Sequence, residues 1–169
     1  MKNLCLGLTL LLVLTGCAAP RPLYKEPGVS FQGYRTVEVT PVVNETGKVF
    51  DSFDVPGALT ENLKNKLKDK GFAVNGGDRE AKVLVIKWSL MTYEPGSALA
   101  RWVLPGTGVT KCTVKVAVAD KETGKTMSEF VESESVGGGG LYTIGMDRRI
   151  LGSVAGKVAD DLDRLVKGG

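Results

Sequence analysis

Few side chains in this sequence are set up to do chemistry. Cys17 ends an uncharged run, "LCLGLTLLLVLTG" at residues 4–16, where a thiol is a nucleophile held beside apolar chain and open to alkylation. Cys112 instead opens the alternating stretch "CTVKVAV". With Val114, Val116 and Val118 on its face, it reads as a buried thiol acting as a small hydrophobe. Arg101 and Trp102 adjoin in "ARWVLPGTG", followed by Pro105 and Gly106. Both residue types are enriched where binding energy concentrates, so Arg101, Trp102, Pro105 and Gly106 form the candidate partner-binding loop. Glu132 and Glu134 in "ESE" fall on one face of a strand, read as facing solvent. "VGGGGLYTIGMD" precedes a helix but lacks the Gly-Lys-Ser/Thr ending of a phosphate loop, so it reads as a flexible connection.

The chain has no histidine. That removes the commonest general base near neutral pH, the Ser-His-Asp and Cys-His arrangements, and histidine-based zinc sites. No catalytic residue, metal ligand or cofactor site is assigned. With 22 basic and 19 acidic residues, the net charge of +3 is too small to argue for nucleic acid.

The address lies at the start. Lys2 precedes an apolar run that suits a secretory signal and is too short to span a bilayer. Leu14-Thr15-Gly16-Cys17 resembles the lipobox of bacterial lipoproteins. The resemblance implies cleavage before Cys17, a diacylglycerol on its sulfur and an acylated amino terminus. Ala18, where aspartate would retain a lipoprotein at the inner membrane, implies the outer membrane of a two-membraned cell. The covalent lipid on Cys17 is the only non-protein group expected.

This divides the chain into a signal peptide at 1–16, a lipidated cysteine with a Pro-rich tether at 17–30, and one globular domain at 31–169. A tether of that length holds the domain on the order of 40 Å from the lipid. The segment at 34–43 alternates as a strand. Residues 54–72 read as a helix with Asp54 as cap, Pro56 in the first turn, a Leu59-Leu63-Leu67 stripe and a stop at Gly71. Short and long strands follow at 72–75 and 81–93, the latter with Leu84, Ile86, Trp88 and Leu90 toward the core. The hairpin at 109–135 turns at Gly124, and a last helix runs over 147–166. Gly152 and Gly156 in that helix are expected to allow close approach to the sheet. The class is α/β (α+β): a single mixed sheet of about five strands against two long amphipathic helices, ordered β-α-β-β-β-β-α. Lys111, Lys115, Glu129, Glu132 and Glu134 argue against that hairpin forming a lipid-facing barrel wall.

Two further resemblances attach to these elements. Arg101, Trp102, Pro105, Gly106 and Gly108, then Asp120, Thr123, Gly124 and Lys125, then the glycines at 137–140, resemble a bacterial lipoprotein family catalogued as a domain of unknown function. Asn44 and Thr46, with Gly71, Phe72 and Val74, more remotely resemble envelope domains of the TolB amino-terminal, curli-secretion lipoprotein and penicillin-binding-protein activator type. The first brings no known activity and the second is an analogy of fold; with no histidine and no catalytic constellation, the function expected is that of a non-enzymatic, periplasm-facing lipoprotein that binds an envelope protein or polymer during assembly or export. The alternative is an envelope hydrolase working through carboxylates. Oligomeric state is left open.

Overall fold

The computed structural model describes residues 24–51, 53–76, 82–103, 107–137 and 145–168. Its elements are β1 (Tyr24–Lys25), β2 (Thr36–Val39), β3 (Val43–Asn44), α1 (Val55–Asp69), β4 (Ala73–Val74), β5 (Val83–Glu94), α2 (Ala98–Val103), β6 (Thr110–Asp120), β7 (Thr126–Val136) and α3 (Met146–Lys167). The sheet runs β1-β7-β6-β5-β2-β4, with β3 also on β5. β2 is parallel to β4 and β5, while β5, β6, β7 and β1 pair antiparallel. The α+β class and mixed sheet are as expected, but there are seven strands rather than about five. The additional β1 and β3 are two residues each, too short for alternation to reveal.

α1 forms where its caps dictate. The Asp54 carboxylate accepts from Gly57 N at 2.9 Å, and Pro56 sits in the first turn, where its missing N–H costs nothing. At the far end Gly71 adopts φ +85°, Gly71 N donates to Lys68 O at 2.9 Å, and Phe72 N to Leu67 O at 3.0 Å. This closes the helix and turns Phe72 into the core beside Leu67. Asn75, also left-handed at φ +52°, accepts from Val39 N at 2.8 Å and fixes β4 against β2.

Leu84, Ile86, Trp88 and Leu90 of β5 and Cys112, Val114, Val116 and Val118 of β6 are all buried, as alternation requires. Between Leu90 and Thr92 a bulge shifts the register. Tyr93, not Thr92, therefore returns to the core side, and its hydroxyl donates to Asp147 O at 2.9 Å, pinning the start of α3. α3 buries Ile150, Leu151, Val154, Ala155, Val158, Ala159, Leu162 and Val166, a stripe broad enough to meet both the sheet and α1.

Two expectations change. A Cβ on Gly152 would lie 3.3 Å from Asn62 Oδ1, so that glycine faces α1 and not the sheet. The helices share the sheet's upper layer, and the close approach is between them. A Cβ on Gly156 would meet nothing within 4 Å. Gly156→Ala should therefore stabilise the domain by about 0.5–1 kcal/mol, read as a higher denaturant midpoint with unchanged slope.

The fold also starts earlier than residue 31. β1 pairs Tyr24 with Glu129 and Lys25 with Ser128, and Glu26 N donates to Met127 O at 3.1 Å. Lys125 Nζ lies 2.5 Å from Glu26 Oε1, and Val29 packs on the core ahead of the fully buried Phe31. Residues 24–26 join the domain because β7 offers them a ladder, and Val29 joins it through the core.

Candidate functional site

The segment singled out as a binding loop is built on a short helix. Residues 98–103 form α2, with Ala100 N donating to Ser97 Oγ at 3.1 Å at its start and Thr107 Oγ1 donating to Ala100 O at 3.0 Å. Alanine and leucine favour the helix, and Pro105 cannot extend it. The base is braced: Ser97 N donates to Gly108 O at 3.1 Å, and Thr110 Oγ1 to Pro95 O at 2.8 Å. Leu99 and Val103, one turn apart, are 69% and 59% exposed. Arg101 and Trp102 take their places in α2 by backbone; their side chains, and all of Pro105, Gly106 and Cys17, lie outside the described residues.

A second assembly lies under α3, and it corrects the reading of "ESE". Glu132 is 4% exposed and Asp161 8%. Glu132 follows Phe130 by two residues, so alternation carries it to the helix-covered face, where α3 crosses β6 and β7. Burial first, then the adjoining Asp161 carboxylate, pushes Glu132 up to about 8, against the opposing pull of Lys157 and Arg164. At neutral pH Glu132 is therefore a protonated acid able to donate its O–H to Asp161. Arg164 pairs with Asp161, and Lys157 pairs with Glu134 while donating to Ser133 O at 3.2 Å. Glu132 Oε1 and Asp161 Oδ2 are buried and meet no N–H or hydroxyl donor among the described residues, which leaves a proton between the two carboxyls as what satisfies them. Alternation puts Glu132 on the face of Phe130, and the packing of α3 decides that this face is buried. Asp161 could have been found as an acid on the same helical face as Val158.

The hairpin "DKETGK" is held by Asp120. Its Oδ1 accepts from Thr123 N and Thr123 Oγ1, both at 2.7 Å, while its Oδ2 accepts from Tyr34 OH at 2.8 Å. The Thr123 bonds, followed by the Tyr34 bond, hold the Asp120 carboxyl below its ordinary range. Gly124 takes φ +68°, which the tight turn requires. Asn44 does similar work after β3: its Oδ1 accepts from Thr46 N and Oγ1, and its Nδ2 donates to Lys48 O at 2.8 Å.

Cys112 is fully buried, and burial pushes its thiol up to about 12. It should react with a thiol reagent only after unfolding, a result read by comparing labelling with and without denaturant. Among the described residues no cluster of His, Cys, Asp and Glu has the geometry to hold a metal ion, and no helix is long and apolar enough to cross a membrane.

Residues 38–140 match the family model described as Domain of unknown function (DUF4410). The chain belongs to this family. Within the DUF4410 region, Asp120, Thr123 and Gly124 form the β6–β7 turn and Gly108 the base of the α2 segment, so these residues of the resemblance shape the backbone. No curated protein matches the chain. A PelC dodecamer from Paraburkholderia phytofirmans shares the fold, with a TM-score of 0.56 at 12% identity, covering 83% of this chain and 94% of that one. A second PelC dodecamer structure from the same organism gives 0.52 at 15% identity over 83% and 93%. Lipoprotein GNA1162 from Neisseria meningitidis gives 0.43 at 15% identity over 74% and 98%.

Proposed function

We propose that this DUF4410 chain is an outer-membrane-anchored, periplasm-facing lipoprotein that serves as a binding module in envelope assembly or export. The lipid sits on Cys17, and the α2 segment supplies the contact with an envelope protein or polymer. The observation that carries this reading is the exposure of Leu99 and Val103 on one face of α2. Two large apolar side chains on a segment braced at its base are a surface for a partner, not a failure of packing. That PelC, with the same fold, is a dodecamer lends support to a role in assemblies.

The double substitution Leu99→Ser/Val103→Ser tests the contact. Its stability should stay within about 0.5 kcal/mol of the parent, as for surface changes generally. Crosslinked adducts in intact cells should disappear, while Lys66→Ser on α1 keeps them. Trp102→Ala should likewise weaken the adducts. Unchanged adducts in Leu99→Ser/Val103→Ser would remove α2 from the interface. The anchor is tested separately: Cys17→Ala should abolish fatty-acid labelling, and Ala18→Asp should move the protein to the inner membrane. Labelled acyl groups on Cys17→Ala would refute the lipobox reading.

A further inference from the structure

The reach of the tether has a consequence for orientation. β1 is the edge strand, and Tyr24 is its first residue. Only seven Cα steps separate Cys17 from Tyr24, so the lipidated sulfur stays within about 25 Å of β1, not the roughly 40 Å of a tether running to residue 30. The sheet is as broad as that reach. From β1 to β4 there are five inter-strand steps, about 24 Å.

The prolines before β1 bear on how far a ladder with β7 can run. Tyr24 stands opposite Glu129, and Glu26 N donates to Met127 O, so the even-numbered residues present their N–H groups to β7. Continued backward, this register puts Pro22 opposite Val131 and Pro20 opposite Ser133. Proline has no N–H to give at either place. Ser133 O accepts from Lys157 Nζ at 3.2 Å. A ladder extended through Pro20 and Pro22 would lack its donors at both positions.

The surface at the point of departure suits lipid. Tyr24 is 42% exposed and Lys25 is exposed beside it, with Arg21 three residues before Tyr24 in the chain. Tyrosine favours the membrane interface, and basic residues are drawn to an anionic surface.

We infer that the β1 edge of the sheet rests against an anionic phospholipid surface, with β4 and α1 directed away from it. This rests on acylation of Cys17. Pulled the other way, the tether would have to lie fully extended across the whole domain to bring β4 to the bilayer.

The test uses the acylated full-length protein in vesicles of phosphatidylethanolamine and phosphatidylglycerol containing a headgroup-spin-labelled lipid. A fluorophore is placed on Lys25→Cys or on Lys66→Cys of α1; buried Cys112 does not compete for the label. Quenching should be severalfold stronger at residue 25 than at residue 66. A Gly/Ser insertion of roughly 12 residues between Leu23 and Tyr24 should bring the two close together. Equal quenching in the uninserted protein, with acylation shown by mass, overturns the orientation while leaving the anchor intact. A mass without acyl chains on Cys17 overturns the anchor and this inference together.

Discussion

Trp88→Ala should cost the domain about 3–5 kcal/mol, the range for an aromatic side chain removed from a close-packed core. Trp88 lies at the middle of β5, almost fully buried, with Ile86 and Leu90 along its strand face and Val116 opposite it on β6. Its indole also does polar work: Nε1 donates to Thr40 O at 3.0 Å, just past the end of β2. Truncation therefore leaves a cavity and strips a part-buried carbonyl of its partner. For a domain whose whole stability is on the order of 5–15 kcal/mol, this brings unfolding close to working temperature. The measurement is thermal and urea unfolding of the chain from residue 18 onward, without lipid. A Trp88→Phe companion, which keeps most of the volume and loses the hydrogen bond, should fall between. A loss below about 1 kcal/mol for Trp88→Ala would mean that the strand face does not pack as described.

The second large effect is a dependence on pH. Glu132 is raised from an ordinary carboxyl value of 4.5 to about 8 in the folded chain. The folded state thus holds a proton that the unfolded state gives up. The stabilisation from that proton is complete below the unfolded value, is lost progressively as pH rises through the window from 4.5 to about 8, and is gone above it. The chain has no histidine, so no histidine titration obscures the window. The domain should lose on the order of 4 kcal/mol between pH 5 and pH 8.5, a fall in Tm of roughly 8–16 °C. Glu132→Gln keeps the shape and a donor for Asp161 without the titration. It should flatten the profile and be the more stable protein at pH 8.5. If the parent profile is already flat, Lys157 and Arg164 hold Glu132 ionised and the carboxyl pair does not share a proton.

The two predictions differ in what made them visible. Trp88 was placed by local pattern alone: alternation along β5 sets Leu84, Ile86, Trp88 and Leu90 on one side in any sheet that buries one face. The ends of α1 were equally local, because Asp54, Pro56 and Gly71 act on backbone groups within a few residues of themselves. The β6–β7 hairpin belongs to the same group, since Asp120, Thr123 and Gly124 complete their bonds within one turn.

Glu132 differs from the solvent-facing expectation because its partner is 29 residues away on another element. A strand's period says which residues share a face but not which face is covered. Only α3, lying across β6 and β7, decides that the face shared by Phe130 and Glu132 is the inner one. The turn of Gly152 toward Asn62 rests likewise on the packing of α3 beside α1. β1 and β3 carry too little sequence to be seen, and exist because β7 and β5 have open ladders to fill. The bulge at Met91 depends on the β6 register, not on β5 itself. In this protein, groups that satisfy their hydrogen bonds locally were determined by sequence. Groups whose charge, burial or pairing depends on a distant element were decided only when the sheet and helices came together.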